Sequence, residues 1–174
     1  MGAALLARSR AIPKRTTIIS LEASRSRPIA EPGNGPVIRV GDLRSTFRWE
    51  AELLLHAGLA RLRASTPNFK VQRQLMEGGT CEATAFSAFG YLCTGIALPL
   101  GNYHNMAPSG KFEPEYIHRE DLAGAAELLI ATVAASQDEV PNFLVERYGV
   151  VSTEYRRRLR RTAKAAQMTG EIDA

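Results

Sequence analysis

The stretch CTGIALPLGNYHNMAPSGKFEPEYIHREDLAGAAELLIATVAA, residues 93–135, decides the fold. Cys93 to Leu98 is apolar enough for a central, buried strand. The polar loop PLGNYHNMAPSGKFEPEY follows, and from Arg119 to Ala135 the spacing predicts a helix. Glu120 and Asp121 fall in its first turn, where the helix dipole favours acids, and Leu122, Ala125, Ala126, Leu129, Ile130 and Val133 recur as an apolar stripe. A strand that feeds a helix through a polar loop is the repeating unit of an α/β domain.

The same alternation extends upstream. A short helix over Ala3 to Ala11 is stopped by Pro13, and the β-branched run Thr16 to Leu21 reads as a buried strand. ASRSRPIAEPGNGP, with three prolines and two glycines, reads as a loop, and Val37 to Val40 resumes strand character before a turn at Gly41 and Asp42. Trp49 to Ala64 places Leu53, Leu54, Ala57, Ala60 and Leu62 at helical spacing, ending before Pro67. Phe69 to Leu75 alternates as a strand, Gly78-Gly79-Thr80 breaks it, and Glu82 to Phe89 forms a short helix closed by Gly90. After Pro141 two further helices are expected, Asn142 to Tyr148 and Thr153 to Met168. The expectation is an α/β domain over residues 1–135, with a mixed, mainly parallel sheet and helices on both faces, followed by a helical tail over 136–174.

Composition sets the outer limits. The 174 residues suffice for one ordinary domain, and 45% hydrophobic with 23% charged residues is the balance of a folded globular chain. Apolar runs such as Ile96 to Leu100 fall far short of the roughly 18 residues of a membrane span. Two cysteines, Cys81 and Cys93, without CxxC spacing indicate neither a disulfide framework nor a cysteine-rich zinc module and fit a reducing cytoplasm. Basic residues follow rather than precede the apolar Ala3 to Ala7, unlike a secretory signal, and Leu6 stands where a myristoylation motif requires Ser or Thr. The acid-free start resembles a transit peptide, but the strand that follows makes it structure.

The net charge of +4 is unevenly spread: residues 1–48 hold 9 basic and 3 acidic groups, 49–100 hold 4 and 4, and 101–174 hold 9 and 11. Arg156, Arg157, Arg158, Arg160, Arg161 and Lys164 form a basic cluster near the carboxyl end. At 100° per residue they encircle a helix, and only Tyr155 is interleaved, so a solvated helix is favoured over RNA binding.

In an open α/β sheet, ligands gather beyond the carboxyl ends of the strands, which gives priority to Glu22 after TTIISL, Glu82 after the glycine break, and His104 after TGIAL. A carboxylate and an imidazole delivered to one crevice are ligand types that zinc accepts. The competing readings are a Glu22 ion pair with Arg25 or Arg27 and a His104 imidazole bonded to backbone. Gly78-Gly79-Thr80 before a helix either cradles an anion or makes a tight turn for close packing. Cys81 at that helix start has a lowered thiol pKa if exposed, though no histidine is near it in sequence. His56 reads as a structural residue on its helix, and His118 as a surface or capping group.

LMEGGTCEATAF, ALPLGNYHNM and EYIHREDLAGAAELLIATVA, in this order and preceded by IPKRTTIISLEASRSRP, resemble the carboxyl-terminal half of the catalytic domain in the co-catalytic zinc peptidase clan. That clan includes peptidase T, the glutamyl-aminopeptidase-like enzymes and related carboxypeptidases, and the resemblance covers residues 1–135. It implies that Glu22 matches a carboxylate binding one zinc, that His104 matches the late histidine binding the other, and that Gly78, Gly79 and Thr80 match a substrate loop. Cys81 stands where that loop usually has aspartate, and Glu82 follows one place later as a candidate substitute.

The complete family carries two zinc ions, held also by a His-x-Asp segment and an adjacent Glu-Glu pair. In this sequence no histidine is followed two places later by Asp, and no two glutamates are adjacent. The chain therefore reads as a truncated or degenerate aminopeptidase-like metallohydrolase that would cleave peptides or small amides when complete, and that binds zinc weakly and turns over nothing alone. The alternative is a non-catalytic module, a homo-oligomer joined through an exposed sheet edge. RNA binding through the basic helix is the third reading.

Overall fold

A computed structural model describes residues 2–138, 140 and 142–162. They form two compact units, dividing between Val140 and Pro141. The first is an α/β unit: α1 (Gly2–Ser9), β1 (Thr17–Arg25), β2 (Val37–Asp42), α2 (Trp49–Ser65), β3 (Gln72–Met76), α3 (Glu82–Ala88), β4 (Leu92–Gly101), a 3-10 turn (Tyr103–Asn105), β5 (Tyr116–Ile117) and α4 (Arg119–Ala135). The second holds α5 (Phe143–Gly149) and α6 (Thr153–Thr162). Residues 163–168 of the expected last helix, Lys164 included, lie outside the described residues.

The sheet runs β1-β4-β2-β3, with β5 also on β4. β1 pairs parallel with β4 from Thr17 opposite Leu92 to Arg25 opposite Leu100, and β2 pairs parallel with β3. The β2–β4 and β4–β5 pairings are short and antiparallel. The sheet is thus mixed with its two longest pairings parallel, as expected. β4 is buried along nearly all its length because helices cover both of its faces. Ile96 and Leu98 pack with Leu55 and Leu59 of α2 and Ala125 and Leu128 of α4. Cys93 points the other way, toward Ala7 of α1 and Ala83 and Phe86 of α3.

Several boundaries and faces differ from the expectations. α1 ends earlier than Ala11, because Arg10 takes a left-handed φ of 57°. β1 continues past Leu21 to Arg25, because β4 itself continues to Gly101 and offers a partner at every position. The loop expected from Ala23 therefore starts after Arg25, and Pro99 to Gly101 belong to a strand. β3 begins at Gln72, and Phe69 enters the core from the preceding turn.

The two long helices are rotated relative to their expected faces. α2 buries Ala51, Glu52, Leu53, Leu55, Gly58 and Leu59, leaving Ala60 exposed. α4 buries Asp121, Gly124, Ala125, Leu128, Thr132 and Ala135, while Leu122, Ile130 and Val133 are solvent-facing. The cause is the close α2–α4 approach, which only small residues permit: a Cβ on Gly58 would lie 2.7 Å from the Thr132 backbone nitrogen.

Asp121 is buried because it has work to do there. Its carboxylate accepts the N–H groups of Gly33 and Gly35, each at 2.8 Å, tying the glycine loop before β2 to the start of α4. Asp121→Ala leaves both N–H groups without that acceptor and is expected to cost about 2 kcal/mol. Urea unfolding checks this, and a midpoint unchanged from wild type would contradict it.

Candidate functional site

The alternation along β1 puts Ser20, Glu22 and Ser24 on the face shared by Ile18, which packs toward α3. Glu22 lies inside β1, opposite Ala97, and not directly after the strand. Its carboxylate forms an ion pair with Arg39 of β2, rather than with Arg25 or Arg27, and accepts the Ser24 hydroxyl at 2.7 Å. Arg27 instead pairs with Glu77 at 2.8 Å. Ser20 Oγ reaches Glu82 Oε2 at 3.4 Å, which brings the exposed Glu82 beside the same strand face.

Gly78 comes close to the end of β1, since a Cβ there would lie 3.5 Å from Arg25 Cβ. The Arg25 guanidinium is 5.9 Å from the ring of Tyr103, in the loop after β4. The Gly78-Gly79-Thr80 loop, the end of β1 and the loop bearing His104 therefore converge at one end of the sheet.

That last loop is tightly built. Asn102, His104 and Asn105 all have positive φ, at 51°, 60° and 58°. For a histidine this is a costly conformation, of order 1–3 kcal/mol, and the surroundings hold it. Glu115 Oε1 accepts the His104 N–H at 2.7 Å, the Glu115 N–H donates to Asn105 Oδ1 at 3.3 Å, and Asn102 Nδ2 donates to the Pro114 carbonyl at 2.9 Å. The exposed His104 ring stacks on Tyr103 with centroids 4.0 Å apart.

The Gly78-Gly79-Thr80 loop is anchored by Asp42, whose place in a turn gives no hint of this role. Asp42 Oδ1 accepts the Arg44 and Ser45 N–H groups at 2.9 and 3.1 Å, while Oδ2 accepts the Cys81 N–H at 3.0 Å and the Thr84 hydroxyl. The anion at the start of α3 is therefore the chain's own carboxylate. Burial pushes the Asp42 carboxyl up, but the Thr84 hydroxyl and the three N–H groups outweigh it and hold it below the ordinary aspartate value.

Cys81 is buried under this loop and Cys93 lies deeper in the same cluster, where burial pushes its thiol up. Neither has the exposure that a nucleophile requires. His56 is structural: its Nε2 meets Glu52 Oε1 at 2.8 Å, and Arg73 Nε holds the same oxygen at 2.6 Å. For Glu52 burial acts upward, and its bonds to His56 and Arg73 prevail and lower the carboxyl. His118 caps α4, its Nδ1 accepting the Glu120 N–H at 3.3 Å. In the second unit Arg156, Arg157 and Arg160 line one concavity of about 580 Å³ with Val151 and Thr153.

A co-catalytic metal pair demands several carboxylate and imidazole ligands pointing at shared points. Among the described residues no three His, Cys, Asp or Glu side chains gather in that way. Glu22, moreover, is already neutralised by a guanidinium. The described residues do not fit the metal pair. The signal for Arg39 was visible, since it is the one charge within VIRV, but a lone charge in a strand gives no hint of its partner.

No family model and no curated protein matches the chain. Solved structures do. The TET1 peptidase of Pyrococcus horikoshii, which assembles into a tetrahedron or a large octahedral shell, is similar at 25% identity and a TM-score of 0.50, with 75% of this chain and 36% of that one covered. A TET aminopeptidase from a marine sediment thaumarchaeote gives 16% identity and a TM-score of 0.54, covering 75% and 35%. An aminopeptidase from the archaeon Desulfurococcus kamchatkensis gives 20% and 0.51, covering 86% and 41%. The chain thus spans 35–41% of the length of these three structures. Over most of its own length, this chain has a mixed α/β fold similar to part of an aminopeptidase.

Proposed function

We propose that these residues form the substrate-loop half of an aminopeptidase-like metallohydrolase domain, and that this chain alone hydrolyses nothing. The observation that carries the reading is the convergence of the Gly78-Gly79-Thr80 loop, the end of β1 and the His104 loop. These are the three segments whose resemblance is to the zinc peptidase clan, and the fold likeness supports the same assignment. In this reading Gly78, Gly79, Thr80 and Glu82 face a peptide or small amide, and Glu22 and His104 hold the positions of two family ligands. The chemistry that zinc supplies in the complete family is a polarised carbonyl and an activated water, which also require a base. The sequence contains neither His-x-Asp nor Glu-Glu to complete that set.

The purified 174-residue chain, with zinc added, is expected to release no product from aminoacyl amides above the uncatalysed rate, and to show no saturable zinc binding at micromolar concentrations. Turnover that disappears in His104→Ala would overturn this. A second reading, a homo-oligomer joined edge to edge, is favoured by β1, which is nine residues long and, among the described residues, has β4 as its one neighbouring strand. Light scattering separates the two, because a monomer at high concentration leaves no role for edge pairing.

A further inference from the structure

We propose that Arg39 is the resident cation of this crevice: it engages Glu22 as a permanent counter-ion, where the zinc peptidase resemblance places a metal. This deepens the reading above, since it concerns the same crevice, but it stands or falls on different measurements.

The side chain is 1% exposed, and every nitrogen has a partner. Nε donates to the Gly41 carbonyl at 3.1 Å, NH1 donates to Ser24 Oγ at 3.2 Å and pairs with Glu22, and NH2 donates to the Met76 carbonyl at 3.2 Å. A buried guanidinium is tolerated only with a counter-charge and satisfied donors. Glu22 supplies the charge, and two backbone carbonyls with one hydroxyl supply the acceptors. Ser24 completes the arrangement, accepting from Arg39 and donating to the same Glu22 oxygen at 2.7 Å.

Backbone design makes this pairing possible. Arg39 is on β2 and Glu22 on β1, with β4 between them, so the side chain crosses two strand spacings of about 4.8 Å each. At the crossing point the residue opposite Arg39 is Gly95. A Cβ there would lie 3.5 Å from both Arg39 Cβ and Cδ and 3.2 Å from the Ser20 carbonyl oxygen. The glycine leaves the stem a path over β4 to Glu22.

Zinc could use Glu22 only by displacing the guanidinium, which would then sit buried with no carboxylate, or by binding beside it against like charge. Both are unfavourable. The assignment therefore removes Glu22 from the ligand set while retaining it as a residue that the fold needs.

The first test uses the wild-type chain. The Arg39 Nε–H resonance is expected to be protected from exchange by burial and its bond to the Gly41 carbonyl, and to stay unmoved as zinc is added; a zinc-dependent shift or loss of protection would overturn the assignment. The second compares Glu22→Gln, Arg39→Met and the double variant. Each single change is expected to lower the folding equilibrium constant, and the double variant to recover at least tenfold relative to additivity. Additivity within twofold would sink the pairing. At millimolar zinc, where weak binding can be read, the affinity of Glu22→Gln is expected to match wild type, and a tenfold weakening there would make Glu22 a ligand after all. If a variant fails to fold, the wild-type resonance still decides. Peptide turnover would remove the inactive reading without touching Arg39, whereas movement of Arg39 with zinc would remove this inference even from an inactive chain.

Discussion

Asp42→Ala is expected to lower stability by roughly 3–5 kcal/mol, since it strips the acceptor from four donors and each buried donor left unsatisfied costs about 1–3 kcal/mol. The bond from the Cys81 N–H is buried, and that from the Thr84 hydroxyl is part-buried. The Arg44 and Ser45 N–H groups face a turn that hydrates more readily, which sets the upper limit of the range. Against a total of about 5–15 kcal/mol for a domain, a loss of this size leaves a marginal fold. Asp42→Asn keeps one acceptor oxygen but turns an amide toward other donors, and falls between the two. Chemical unfolding of the three proteins checks the order, and a loss below about 1 kcal/mol for alanine would sink the argument. The Leu43 N–H donates to the Gly79 carbonyl at 3.0 Å, so the alanine variant should also loosen the glycine loop.

The same carboxyl gives a pH dependence of fixed sign. Its value in the folded chain is lowered beneath the ordinary 3.8, so the unfolded chain binds the proton more readily. The stability it contributes is fully present above the unfolded value. It fades as pH falls below that value and toward the folded one. Acid unfolding of Asp42→Asn should lack this component, so the stability gap to wild type narrows as pH is lowered through that window.

Element identity was legible where local chemistry and tertiary context agree. Arg119 to Ala135 is bounded as expected because His118 caps it, acids occupy its first turn, and its helical spacing is unbroken. Its buried face was legible only in part: Ala125 is buried and Leu129 packs on the core as expected, but hydrophobicity also marks Leu122, Ile130 and Val133, whereas packing selected Gly124, Thr132 and Ala135. Glu22 illustrates the same limit at the site. TTIISL ends its apolar run at Leu21, but β1 continues because β4 supplies partners as far as Leu100. Polar Ser20, Glu22 and Ser24 then share an inward face that exists only once Arg39 arrives from β2. A contact made across two strands leaves no periodicity in any one of them.

Gly58→Val tests the packing that rotated both helices, and is expected to cost roughly 3 kcal/mol or more, at the upper end of overpacking effects. A Cβ at Gly58 would meet Thr132 Oγ1 at 2.4 Å, its nitrogen at 2.7 Å and its Cα at 2.8 Å. The hydroxyl could rotate, although it would forfeit its 2.7 Å bond to the Leu128 carbonyl. The nitrogen and Cα are helix backbone and cannot, so α4 itself must retreat. That retreat opens the contacts of Leu55 and Leu59 with Ala125 and Leu128, which form the core on this face of β4. Gly101 supplies the control. There a Cβ would meet the Tyr116 ring at 2.2 Å, a closer approach, yet Tyr116 is 55% exposed and its ring can swing into solvent. Gly101→Ala should therefore cost less than about 1 kcal/mol despite the shorter distance. A loss at Gly101 as large as that at Gly58, or larger, would mean that distance governs, and that the backbone of α4 is not the rigid wall against which these helices choose their faces.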